Sequence, residues 1–82
     1  MEASDVKRKI EAGIPGALAE VSGTDAHFTA VVVAPAFAGR SLVQQHQMVY
    51  ATLKHEMASQ EVHALALKTR VPEGHEGERD TQ

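Results

Sequence analysis

The chain has 82 residues, 43% of them hydrophobic and 23% charged, which suits one small folded domain and leaves no room for a second core. It has no cysteine but five histidines, so a disulfide framework, a cysteine-type zinc finger and a thiol nucleophile are all excluded. The net charge is −3, yet residues 1–70 carry seven basic and seven acidic side chains, without the basic footprint that supplies most nucleic-acid affinity.

No apolar run approaches the ~18 residues of a membrane span, and Met1 to Lys9 lacks the apolar stretch of a signal peptide. A cytoplasmic protein is expected. From the amino terminus, Val6 and Ile10 fall four apart after Ser4, with Asp5 in the first turn, which predicts a helix. Gly13-Ile14-Pro15-Gly16 stops it. Ala17 to Ser22 reads as a weak strand and Gly23 to Ala26 as a turn.

His27 to Ala34 is the clearest strand, because Val31, Val32 and Val33 are β-branched and stiff in the extended state. Phe28, Ala30 and Val32 share one face. Pro35 ends it, and Phe37 is expected at the edge of the core. Ser41-Leu42-Val43-Gln44 is a capping box that predicts a helix to about Ala58. Leu42, Val49 and Leu53, with His46 and Tyr50 beside them, form its stripe.

Val62 to Thr69 alternates as a third strand, with His63, Leu65 and Leu67 on one face and Val62, Ala64, Ala66 and Lys68 on the other. The order helix, strand, strand, helix, strand predicts an αββαβ, α+β two-layer sandwich. Its three-stranded mixed sheet has a hairpin, a right-handed crossover and helices on one face. Residues 1–70 form one domain, and 71–82 an acidic tail expected to be disordered.

Among the histidines, His55-Glu56 starts like a zincin helix, but Ser59 stands where the second ligand should fall. His46 reads as a partly buried, hydrogen-bonded side chain, His55 as a cation near a helix end, and His75 as solvated tail. His27 and His63 each start a strand, at the rim of the sheet. Two imidazoles suit a borderline metal but do not close a site, so any metal is shared with another chain. From spacing alone, two structural histidines remain the plainer reading. No residues stand in a catalytic arrangement, so no enzyme is expected. Gly39-Arg40-Ser41 at a capped helix start superficially fits a phosphate contact, but the neutral body and only three aromatics, Phe28, Phe37 and Tyr50, favour the plainer reading that Gly39 relieves a tight approach to the Ser41 cap.

Val32-Val33, the loop and helix from Phe37-Ala38-Gly39-Arg40-Ser41 through Gln44-Gln45-His46-Gln47-Met48-Val49-Tyr50, and Val62-His63-Ala64-Leu65 with Pro72 together resemble the BolA family over about residues 4–72. The resemblance implies a class II KH-like fold. It also implies partnership with a monothiol glutaredoxin of the CGFS type, in which a [2Fe–2S] cluster is shared and the partner brings thiolate and glutathione. His63 matches the family's ligand in the H-A-L strand. Cysteine-bearing members place their loop ligand where Thr24 stands here, which leaves His27, beside Phe28, as the imidazole nearby.

Mixed thiolate and imidazole ligation is Rieske-like, with a raised potential and proton-sensitive ligands. That suits cluster trafficking or iron and redox regulation. The family's other association, transcriptional regulation, implies DNA contact through Gly39, Arg40 and Ser41. A weak homodimer is also expected. Many relatives continue past the proline into a short helix with an aromatic anchor, which Pro72-Glu73-Gly74 lacks.

Overall fold

The computed structural model describes residues 1–72. In chain order it forms α1 (Ala3–Gly13), β1 (Leu18–Thr24), β2 (His27–Val33), a 3-10 turn (Pro35–Phe37), α2 (Leu42–Thr52), α3 (Lys54–Ala58) and β3 (Ala64–Arg70). The sheet order is β1-β2-β3, with β1 antiparallel and β3 parallel to the central β2. The helices cover one face of this mixed sheet, the predicted α+β arrangement. The tail from residue 73, including His75, lies outside the described residues.

The core follows from the alternation of β2. Phe28, Ala30 and Val32 are buried against Val6 and Ile10 of α1, Val49 of α2, Leu53 and Phe37. Phe37 is fully buried rather than at the core edge, because the 3-10 turn after Pro35 folds it inward. On the opposite face, Leu18, Glu20, Thr29, Lys68 and Arg70 are exposed, and no element among the described residues packs on them.

Several boundaries depart from the sequence expectation. Helix α1 starts at Ala3, ahead of Ser4, because the Glu2 backbone N–H donates to Asp5 Oδ2 at 2.9 Å and caps the helix earlier. Strand β1 runs on to Thr24, which leaves only Asp25 and Ala26 as the turn. The long helix predicted from Ser41 to Ala58 is broken at Leu53. The Thr52 hydroxyl donates to Val49 O at 2.6 Å, and Leu53 N–H donates to Tyr50 O, three residues back, instead of Val49 O.

Leu42 does not join the predicted apolar stripe. It is 60% exposed, and of the residues of α2 Val49 alone is buried. Strand β3 begins at Ala64, so Val62 escapes the expected alternation and is buried, while His63 stands just ahead of the strand.

Candidate functional site

The turn between β1 and β2 sets the geometry of both rim histidines. Asp25 and Ala26 take φ values of +55° and +67°, the pair of left-handed residues that a two-residue hairpin requires. Gly23, two residues earlier, has φ +125°, and a Cβ there would run into the His27 carbonyl. The turn can therefore close tightly on His27.

The Ala26 carbonyl then accepts both the His63 N–H at 2.7 Å and the Ala64 N–H at 3.0 Å. One peptide oxygen thus ties the hairpin to the start of β3. Because His27 pairs with Ala64 across the parallel ladder, His63 comes beside it. The two rings stand 5.3 Å apart between centroids, tilted by 58°. Two imidazoles sharing one tetrahedral ion at about 2.1 Å have ring centres about 5 Å apart, so the spacing fits.

The tautomer of His27 is also decided. Its Nδ1 lies 2.8 Å from the Asp25 carbonyl oxygen, which accepts hydrogen bonds and cannot donate them. Nδ1 must carry the proton, and in the neutral ring Nε2 keeps the lone pair. A backbone carbonyl on the non-ligating nitrogen is the usual outer partner of a metal-bound histidine. Both histidines are exposed.

Among the described residues, no group of three or more His, Cys, Asp or Glu side chains converges on a metal position. The donor set therefore fits a centre completed by another molecule and does not fit a self-contained one.

The second candidate surface lies at the far end of β2, about 20 Å along the strand at ~3.3 Å per residue. Gly39 has φ +77°, and nothing lies within 4 Å of where its Cβ would be. Its role is the left-handed backbone, not relief of a tight approach to the cap. Ser41 is committed to the capping box: its Oγ accepts Gln44 N–H at 3.1 Å, and its N–H donates to Gln44 Oε1 at 3.0 Å. Arg40 is exposed, with its Nε donating to Ala36 O at 3.4 Å.

His46 departs from the expectation of a hydrogen-bonded histidine, because its Nε2 is buried without a partner among the described residues. His55 is exposed, but the break at Leu53 makes it the second residue of the short α3 and not a cation near the end of one long helix. Two contributors escaped the sequence reading. The Asp25-Ala26 backbone orients the histidine pair, and its only sequence signal was the short gap between two strands. Gln45 accepts the Thr69 hydroxyl at 2.6 Å and donates to Arg40 O at 3.0 Å, pinning the Arg40 loop to β3.

The family profile described as BolA-like protein matches residues 7–74. The DNA-binding transcriptional regulator BolA of Escherichia coli is 42% identical over 60 residues, covering 73% of this chain and 56% of that protein. The E. coli acid stress protein IbaG is 36% identical over 52 residues, covering 63% of this chain and 62% of that one. This chain thus spans less than two thirds of these relatives' length, and neither name is that of an enzyme. Among solved structures, a bolA protein homologue from Coxiella burnetii superimposes with a TM-score of 0.79 at 37% identity, over 88% of this chain and 92% of that one.

Proposed function

This chain belongs to the BolA-like family, and we propose that it acts there as a non-enzymatic, cytoplasmic partner of a CGFS monothiol glutaredoxin, sharing a [2Fe–2S] cluster in cluster trafficking or iron and redox regulation. The observation that carries this reading is the pairing of His27 and His63 at 5.3 Å, with His27 Nδ1 held by a carbonyl. Two exposed imidazoles and no thiol make half of a mixed ligand set, which requires a partner that brings thiolates.

When bound, the cluster supplies one-electron redox chemistry and a transferable metal centre. The Asp25 carbonyl orients the His27 ring so that its Nε2 is the nitrogen offered, and His63 stands beside it; an imidazole must give up its proton at the nitrogen that binds a metal.

The test is co-purification with a CGFS glutaredoxin and glutathione, followed by visible absorption and circular dichroism. A spectrum distinct from that of the glutaredoxin alone, lost in His63→Ala, is expected. A spectrum identical to the glutaredoxin's and indifferent to His63→Ala overturns the reading.

A second reading, a DNA-binding regulator, is favoured by the name of the E. coli relative and by the exposed Arg40 beside the α2 cap. It predicts duplex binding that falls steeply with salt and weakens in Arg40→Ala. Absence of binding at ~50 mM salt, where the phosphate contribution is strongest, removes it.

A further inference from the structure

The charged side chains are sorted along the molecule. Residues 1–72 hold seven cations, of which Lys7, Arg8 and Lys9 pair with Glu11, Asp5 and Glu56. Arg40, Lys54, Lys68 and Arg70 have no carboxylate partner among the described residues. Three of these four share one end of the fold. Lys68 and Arg70 lie in the last turns of β3, and Gln45 ties the Arg40 loop to that strand.

The acids are sorted the other way. Among those without an ion pair, Glu2, Asp25 and Glu61 line one cleft at the opposite, hairpin end. Glu20 lies on the open sheet face, but the register sets it two strands away from Lys68, or about 10 Å. The open face therefore ends in two cations with no acid beside them.

The chain leaves the sheet at this basic end. Lys68 and Arg70 project from the uncovered face about 7 Å apart, while Val71 packs against the core and fixes the exit point. Residues 73–82 follow, with Glu73, Glu76, Glu78 and Asp80 against Arg79 alone, a net −3. From Pro72 to Asp80 the backbone spans up to about 28 Å, more than the ~23 Å length of β3. Its acids can reach every cation at this end.

We propose that the acidic segment Glu73–Asp80 folds back from Pro72 and docks on the Lys68–Arg70 end of the open sheet face. The occupant is the chain's own tail because tethering holds its acids near these cations at a millimolar effective concentration. The carboxylates of Glu2, Asp25 and Glu61 repel it from the other end. The contact is electrostatic, and two exposed ion pairs favour the docked form only about 2- to 30-fold. A docked tail withdraws this end from other polyanions. Nothing in the proposal depends on the histidine pair or on nucleic-acid binding.

The test uses the full chain alone. It has no cysteine, so Thr81→Cys carries a single nitroxide, read by paramagnetic broadening of amide signals. The Val31, Val33 and Lys68 amides should broaden at ~20 mM salt and recover at ~1 M, where the Debye length is ~3 Å. The double variant Lys68→Gln/Arg70→Gln should lower the docked-to-free ratio roughly 2- to 30-fold, while Lys54→Gln changes nothing. Lys68 and Arg70 are exposed, and circular dichroism verifies that the fold persists. Broadening indifferent to salt and to the double variant overturns the proposal, since tethering alone explains it. Broadening concentrated on α1 and α2 overturns it as well. So does equal broadening between labelled and isotope-enriched chains in a mixture, which makes a second copy's tail the occupant.

Discussion

The rings of His27 and His63 lie 5.3 Å apart because both residues are anchored to one peptide unit, the turn at Ala26. One comes at the start of β2 and the other just ahead of β3, and a parallel register joins them. The pair is therefore held by main-chain bonds and not by side-chain packing. It keeps its spacing while both rings remain exposed.

That arrangement makes a prediction about the free protein. Since the Asp25 carbonyl requires a proton on Nδ1 of His27, nitrogen NMR of the neutral side chain should show the Nδ1–H tautomer. A dominant Nε2–H signal contradicts the proposed ligand geometry.

The turn is predicted to be improvable at one position and intolerant at another. Ala26 sits at φ +67°, a conformation that costs a non-glycine residue about 1–2 kcal/mol. Ala26→Gly should raise stability by about 0.5–1 kcal/mol in urea unfolding, after the entropy of glycine is deducted. Gly23→Ala should do the reverse, losing about 1–3 kcal/mol from its φ of +125° and its clash with the His27 carbonyl. Exchange broadening of the His27 resonances should accompany that loss.

Gln45 and Thr69 tie the Arg40 loop to β3 through a 2.6 Å hydrogen bond in a part-buried setting. Gln45→Ala leaves the Thr69 hydroxyl and two loop carbonyls without this partner and should cost about 1–2 kcal/mol. Thr69→Val should cost less than about 1.5 kcal/mol, since it removes one neutral bond while keeping the shape. If Gln45→Ala is neutral in chemical unfolding, the loop is not held this way.

The pH dependence has a definite sign. Glu11 titrates below its usual value, first because Lys7 donates to its carboxylate and then because Ala19 N–H does. The folded form thus favours the carboxylate. Its contribution is present above the ordinary carboxylate range and is lost as pH falls through the lowered folded value. Glu56, lowered chiefly by the hydrogen bond from Lys9 between α3 and α1, acts in the same direction. Glu11→Gln should therefore lower the melting temperature near neutrality, and the difference from the parent should close in acid. A gap that persists unchanged below pH 3 contradicts the assignment.

The two candidate surfaces stand at opposite ends of β2, about 20 Å apart along the strand. A partner at the histidine pair and a nucleic acid at Arg40 would not compete for space. His63→Ala should accordingly leave any duplex binding unchanged in fluorescence anisotropy, and Arg40→Ala should leave the spectrum of the proposed shared cluster unchanged. Cross-effects in either direction would show that the two ends are coupled.

Sequence by itself determined the three strands, the starts of the two main helices to within a residue or two, and most of the core. The alternation of Phe28, Ala30 and Val32 and the capping box at Ser41 are local patterns, and local patterns are written in neighbouring residues. The absence of cysteine was equally decisive, since it says that any thiolate must arrive with a partner. Tertiary structure alone decided the rest. The helix break at Leu53 depends on where the Thr52 hydroxyl finds an acceptor. The hold of Lys7 and Glu11 on Ala19 depends on a helix lying against the edge of β1. The meeting of His27 with His63, 36 positions apart in the chain, depends on strand register. Register follows from packing one buried face, which no spacing along the chain encodes.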